Sequence, residues 1–397
     1  MTETGKAMAA LTDEISQEFL ERSETVRAMT VAMLAGQHPF LLGPPGAAKS
    51  ELARALTARI TGGTYWEILL GAYTDPKQIF GPVDVGALMK GEYTQVFDGR
   101  ATTADIAFVD EVFKCGDGAL NSMLAFLNER VYHPENGGPP IACPLLSAVT
   151  ASNELPAGGQ GTEAIYDRLM VRLEVQYLAD PSNFAALLRS GAARGIPAKA
   201  PTVVTLDTLR QAIQGEVPGV AVPDGVIDAV SRLRTALRHR EITCSDRRWK
   251  QSVRLLQASA YLAGRPVVSD ADLDILRHVL WSSTADIRPV AEEVLTLVNP
   301  DAKAALDLLE AVAGIEQKLD SMAGHSREAL STWAIKEANG KLSRAGKDLE
   351  TMRSQAASGG RSTATIDEAI ARHKAVYARV MTEALGVAAT MVAAGAA

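Results

Sequence analysis

The chain has 397 residues, of which 47% are apolar and 22% charged, and its formal net charge is −7. That balance excludes a mainly disordered or fibrous protein and leaves room for two or three globular domains. The acidic excess weighs against a dedicated nucleic-acid binder, which usually carries a basic surplus. Residues 300–397 hold 12 basic and 12 acidic side chains, so the imbalance belongs to the rest of the chain. Cys115, Cys143 and Cys244 stand far apart. They lack zinc-knuckle spacing, and an odd count argues against a disulfide scaffold, so a reducing cytoplasm fits. No signal-peptide pattern opens the chain, and no stretch approaches the about 18 apolar residues of a membrane span.

Through residue 180, short apolar runs alternate with helical patterns. Pro39–Leu42 is a strand stopped by a glycine, and Lys49–Arg59 a helix. Tyr65–Leu70 and Ile106–Asp110 read as strands, Ala119–Glu129 as a helix, and Leu145–Ala151 and Leu173–Leu178 as the last strands. Such alternation predicts an α/β domain over residues 1–180, a mostly parallel sheet with helices on both faces. Residues 181–299 read as a small all-helical domain punctuated by Gly and Pro. Over 300–397 the pattern is helical throughout, with a stripe at Leu308, Val312, Ile315 and Leu319 and breaks near Gly324 and Ser358–Gly360. Three amphipathic helices there predict a helical bundle or arm.

The strongest local signal is Gly43-Pro44-Pro45-Gly46-Ala47-Ala48-Lys49-Ser50, which follows a strand and opens a helix. This is a P-loop context: successive backbone N–H groups and a helix N-terminus surround phosphates. Lys49 would reach the β- and γ-phosphates, and the Ser50 hydroxyl would serve Mg²⁺. Ala48 stands where a glycine is usual, and its methyl is tolerable if φ there stays negative. A second element lies 61 residues after Lys49: the apolar strand Ile106–Asp110 ends in two carboxylates, Asp110 and Glu111. In a P-loop sheet that strand end sits beside the phosphate loop. Asp110 would hold Mg²⁺ through water, and Glu111 would orient and polarise the attacking water. Together the elements point to ATP hydrolysis with Mg²⁺.

Beyond these, Glu21-Arg22, Ile79–Pro82, Ala151–Pro156, Glu163–Leu169 and Ser245–Lys250 occur in an order that resembles the MoxR group of AAA+ ATPases, specifically its RavA branch. The GPPG-x-A-K-S form of the loop is shared with that branch. The resemblance covers roughly residues 15–285. It implies that Asn153 is sensor 1, that Arg168 is the arginine finger reaching a neighbouring subunit (Arg172 as fallback), and that Arg247 is sensor 2, given in cis by the helical lid (Arg248 as runner-up). It also implies a hairpin insertion at Val131–Ser147 and a second insertion at Gly81–Gly99. A hexameric ring and chaperone-like work on a von Willebrand A domain protein follow as further implications. The RavA branch carries a β-rich insertion that binds lysine decarboxylase; the helical C-terminal region leaves no room for one, so no lysine decarboxylase is expected as partner.

Arg232–Arg254 holds eight Lys and Arg but only Trp249 as an interleaved aromatic, which favours sensor 2 and a subunit contact over nucleic acid. The six histidines show no metal spacing. A DNA-associated AAA+ motor and a non-hydrolysing P-loop scaffold are the competing classes.

Overall fold

Three segments, HPFLL, IAFVD and SAVTAS, are buried almost throughout and form the middle of a parallel sheet, where strands are covered on both faces; the polar Ser147, Thr150 and Ser152 of the third are buried with the rest. The computed structural model describes residues 2–156, 158, 160–192 and 201–387. It forms two compact units, Met1–Val290 and Ala291–Ala397.

In the first unit, helices α1 (Glu3–Glu18) and α2 (Ser23–Leu34) precede strand β1 (His38–Leu42) and helix α3 (Lys49–Thr57). Then come β2 (Tyr65–Leu69), β3 (Ile106–Asp110), α4 (Asp117–Glu129), β4 (Ser147–Ser152), α5 (Gln160–Arg168) and β5 (Leu169–Glu174). The sheet order is β2-β3-β4-β1-β5, all neighbours parallel. This is the α/β sheet expected from the sequence. The fully buried β1 and β4 lie inside it, and β2, alternately exposed, lies at an edge.

Register decides where chemistry collects. Leu42 pairs with Ser152 and with Glu174, and Val109 pairs with Thr150. The loops after β1, β3, β4 and β5 therefore leave from one edge. At the opposite edge His38 pairs with Leu169 and Ile106 with Ser147. Four residues of strand separate the two edges along β1, roughly 13 Å.

One strand differs from expectation. Leu173–Leu178 reads as the last strand in sequence, but β5 occupies Leu169–Glu174. The buried Arg172 inside it conceals the apolar run, because its charge is satisfied by partners distant in sequence. The region after residue 180 is mainly helical, with α6 (Pro181–Ala192), α7 (Asp224–His239) and α8 (Asp246–Leu262). It also contains the two-residue strand Val204–Thr205, which pairs in parallel with Ile60–Thr61, so it is not purely helical. The expected hairpin forms as Val131–Tyr132 against Ile141–Ala142, antiparallel. Within Gly81–Gly99 are the short helix Val85–Leu88 and an isolated antiparallel bridge between Val83 and Gln95.

The second unit contains α9 (Pro300–Ser321), a helix from Arg327 that passes through the π-helical stretch Ala334–Ala338 into α10 (Asn339–Ser358), and α11 (Ala364–Arg379). Gly324 and Gly360, both at positive φ, make the breaks the sequence predicts. Val312 and Leu319 are buried with Leu342 and Val376, and Leu308 and Ile315 pack against them. The starts of α9 and α11 are tied by an Asp301–Arg361 ion pair and by the Asn299 amide, which donates to the Ser362 carbonyl at 2.8 Å. Among the described residues no helix is long and apolar enough to cross a membrane.

Candidate active site

The turn from β1 into α3 is shaped by its neighbours. A Cβ on Gly43 would lie 2.0 Å from the Val175 carbonyl oxygen, so only glycine fits beside the end of β5. The Gly43 N–H bonds the Ser152 carbonyl at 3.1 Å, fixing the loop's start to β4. Lys49 is only 8% exposed, and its ammonium donates to the carbonyls of Gly43 (2.5 Å) and Pro44 (3.0 Å). Burial holds the Lys49 pKa below its ordinary value, opposed by the charges of Asp110 and Glu111. No side chain caps the N-terminus of α3. Its first N–H groups, with the positive end of the helix dipole, thus face the loop as anion-binding donors.

Ala48 does not keep the negative φ that its methyl would prefer. It sits at φ 67°, ψ 20°, the left-handed region. For a residue with a Cβ this costs about 1–2 kcal/mol. Glycine would remove that strain, although its freer unfolded chain offsets about 0.4–1 kcal/mol of the gain. We expect Ala48→Gly to stabilise the protein by about 1 kcal/mol in urea unfolding, with an unchanged slope. A lower midpoint would contradict the strain.

The end of β3 stands next to this loop. The Ser50 hydroxyl lies 3.4 Å from Asp110 Oδ2. Asp110 Oδ1 accepts the Glu111 N–H at 3.0 Å, and Glu111 itself takes a left-handed φ of 53°. Glu111 Oε2 is buried with no hydrogen-bond partner among the described residues; the Lys114 ammonium is 3.3 Å away. Asn153, exposed, follows β4 at the same edge. The fold therefore brings Lys49, Ser50, Asp110, Glu111 and Asn153 to one edge of the sheet.

Beside the phosphate loop lies a cavity of about 580 Å³. Its floor is Gly46–Ala48, and its walls include Leu20, Tyr177, Leu178, Phe184 and Leu187. An apolar recess next to a phosphate cradle suits the base and sugar of a nucleotide. Sequence reasoning missed these residues, which come from three separate segments. The available signal was Glu21-Arg22, whose side chains hold the segment that follows β5.

The comparisons with known proteins agree with this geometry. A family model described as the MoxR domain in the MoxR-vWA-beta-propeller ternary systems matches residues 6–212, and an AAA lid domain matches residues 225–294. The chain belongs to the MoxR-type AAA+ ATPases. Two uncharacterised proteins of Methanocaldococcus jannaschii are each 33% identical to it. MJ0079 aligns over 320 residues, 80% of this chain and 82% of its own length; MJ0812 aligns over 299, 75% and 78%. A candidate ATPase from Cytophaga hutchinsonii, solved by crystallography, shares the fold with TM-score 0.59 at 18% identity, over 75% of this chain and 95% of its own.

The arginines implied by the MoxR resemblance lie elsewhere. Arg172 is in β5, not one helical turn beyond Arg168, and is 2% exposed. Its guanidinium lies 3.5 Å over the Tyr166 ring and donates to the carbonyls of Tyr166, Leu169 and Trp281. Arg248, also 2% exposed, donates to the carbonyls of Tyr166, Asp167, Leu169, Met170 and Val279. Both are consumed inside the chain that carries them. Arg168, half-buried at the end of α5, donates to the Ala164 carbonyl at 2.6 Å, and its Nε has no partner among the described residues. Burial, then the nearby Arg247 charge, holds the Arg168 pKa below its ordinary value.

Arg247 is exposed and opens α8 beside Arg248, which is anchored at Leu169, the residue paired with the start of β1. That is the edge opposite the phosphate loop. This placement does not bring Arg247 to the phosphate loop of its own chain. Ser245 and Arg248 fix the start of α8 against α5, which places Arg247 alongside Arg168.

Proposed function

We propose that this MoxR-type chain hydrolyses ATP to ADP and phosphate with Mg²⁺, as a ring, hexameric as in the resemblance, in the cytoplasm. The observation that carries the reading is the convergence of Lys49, Ser50, Asp110 and Glu111 at one sheet edge beside an apolar recess. The residues fit the nucleotide: an uncapped helix N-terminus and a buried ammonium offer donors to phosphate, and a buried carboxylate oxygen without a hydrogen bond offers an acceptor to the attacking water. It fits Mg²⁺ as well, since Ser50 and Asp110 offer a hydroxyl and a carboxylate side by side. Among the described residues no three His, Cys, Asp or Glu side chains could form a metal cage. Such a pair shares its ion with phosphate oxygens. When bound, the metal neutralises charge on those oxygens.

In this reading Lys49 binds the terminal phosphates and Gly46–Ser50 cradle them with backbone N–H groups. Glu111 accepts a proton from the attacking water while Asn153 helps to place it. Arg168 and Arg247 lie at the far edge of their own sheet, so we assign both to the nucleotide of the next subunit. There a guanidinium matches charge spread over the transferred phosphoryl oxygens. A catalytic set split over two faces of one chain supports a ring.

The description of the matched MoxR domain supports a von Willebrand A domain protein as partner; chaperone-like remodelling as the work performed is what the MoxR resemblance implies. The form of the phosphate loop supports the RavA branch within the family. Phosphate release tests the reading. The unaltered chain should release phosphate from ATP with Mg²⁺ and stop with EDTA, and Lys49→Gln should release essentially none. A Lys49→Gln rate equal to that of the unaltered chain would refute it.

A further inference from the structure

We propose that Tyr177 is a positioning residue for the phosphate loop and that Glu21 and Arg22 exist to hold it there. The inference rests on the nucleotide reading above, which uses Tyr177 only as a wall of the recess and gives Glu21 and Arg22 no part.

Beyond β5 the chain makes one more sheet bond, from the Val175 N–H to the Leu42 carbonyl at 2.7 Å, and then turns along the phosphate loop. Three ties fix the turn. The Arg22 guanidinium donates to the Gln176 carbonyl. The Glu21 carboxylate accepts the N–H groups of Ala179 (2.8 Å) and Asp180 (3.0 Å) and the Asn183 amide (3.0 Å). To make these bonds Glu21 adopts φ 59°, a conformation unfavourable for any residue with a Cβ. The third tie runs to the loop itself: the Tyr177 hydroxyl donates to the Pro45 carbonyl at 2.9 Å, although the side chain is 60% exposed.

The direction of that carbonyl is what matters. Gly43 and Pro44 turn their oxygens to the Lys49 ammonium, whereas Pro45 turns its oxygen to Tyr177. Among the described residues no peptide is cis, and in a trans peptide the C=O and the following N–H point opposite ways. Holding the Pro45 oxygen therefore aims the Gly46 N–H away from Tyr177, towards the side we assign to phosphate. Gly46 needs such a restraint. It has positive φ and open space where a Cβ would be, so no side chain of its own restrains it, and beside the weak Ala47 N–H to Pro44 carbonyl turn bond (3.4 Å) the Tyr177 hydroxyl is the hold on this peptide. A donor fixed before the ligand arrives saves ordering entropy on binding.

The test is a titration with a fluorescent ATP analogue, N-methylanthraniloyl-ATP, paired with steady-state kinetics. The proteins are the unaltered chain, Tyr177→Phe, Tyr177→Leu and Glu21→Ala, with thermal midpoints as a check on folding. Loss of one hydrogen bond should weaken binding roughly three- to tenfold in Tyr177→Phe. Glu21→Ala, which does not touch the loop, should weaken it similarly, and in both the loss should fall on KM rather than on kcat. Tyr177→Phe binding like the unaltered chain while Tyr177→Leu binds poorly would show that only the ring matters, packed on the base, and would overturn positioning. A loss confined to kcat would overturn it too. If the unaltered chain fails to bind the analogue, the nucleotide reading falls and this inference with it.

Discussion

Glu111→Gln is expected to bind ATP within about twofold of the unaltered chain yet to hydrolyse it at least ~100-fold more slowly, the scale of a lost general base. The expectation follows from where the carboxylate is held. Glu111 follows the last residue of β3 and takes a left-handed turn, and its Oε2 lies buried without a hydrogen bond. A carboxamide fills the same volume, so the turn and the phosphate loop should keep their shape. It cannot accept the proton of an attacking water, so the chemical step is lost while the binding contacts of Lys49 and Ser50 remain. Equilibrium binding and single-turnover phosphate release on the same preparation separate the two. A rate within tenfold of the unaltered chain would remove Glu111 from the chemistry. The same variant, held with ATP and unable to turn over, is the form in which a von Willebrand A domain partner should be captured.

The part of the site carried by consecutive residues was legible in the sequence. The phosphate loop reads directly from Gly43–Ser50, and β3 is found at the predicted Ile106–Asp110 because an apolar run that ends in two acids can end only at a sheet edge. What depends on distant partners was not legible. Arg172 reads as a free cation, the fallback finger just ahead of the strand expected at Leu173, until the Trp281 carbonyl and the Tyr166 ring are seen to enclose it. That enclosure hides the true position of β5. Arg248 and Arg247 are neighbours of the same type, and only burial separates the one spent on five carbonyls from the one left exposed. The recess beside the phosphate loop combines Leu20, Gly46 and Phe184, which share no local pattern. The left-handed backbone at Ala48 was the least accessible, since a propensity argument favours the opposite sign of φ.

Arg168→Ala is expected to lose on the order of 10³-fold or more in turnover, the range of an arginine finger, with ATP binding retained. Lys49→Gln should be equally inactive for a different reason: its own phosphate site fails while its arginines stay intact. If Arg168 acts across a subunit junction, mixing the two inactive variants must restore activity, because an intact phosphate site in one can meet an intact arginine in the other. In randomly assembled head-to-tail rings roughly a quarter of the junctions have that pairing, so recovery should approach that fraction of the unaltered rate and no more. Arg247→Ala mixed with Lys49→Gln should recover in the same way, since Arg247 lies beside Arg168 at the edge away from its own phosphate loop. Were Arg247 to serve its own chain, the result would depend on which variant carries the damage: every Arg247→Ala subunit would stay inactive whatever its neighbour, and mixing would restore nothing. Recovery with Arg168→Ala but not with Arg247→Ala would therefore separate the two arginines. Recovery with neither would place the finger within the chain and remove the reason for a ring. The decisive measurement is phosphate release after mixing and reassembly, plotted against the ratio of the two variants: action across the junction requires a maximum near equal proportions, and action within one chain requires a line at zero.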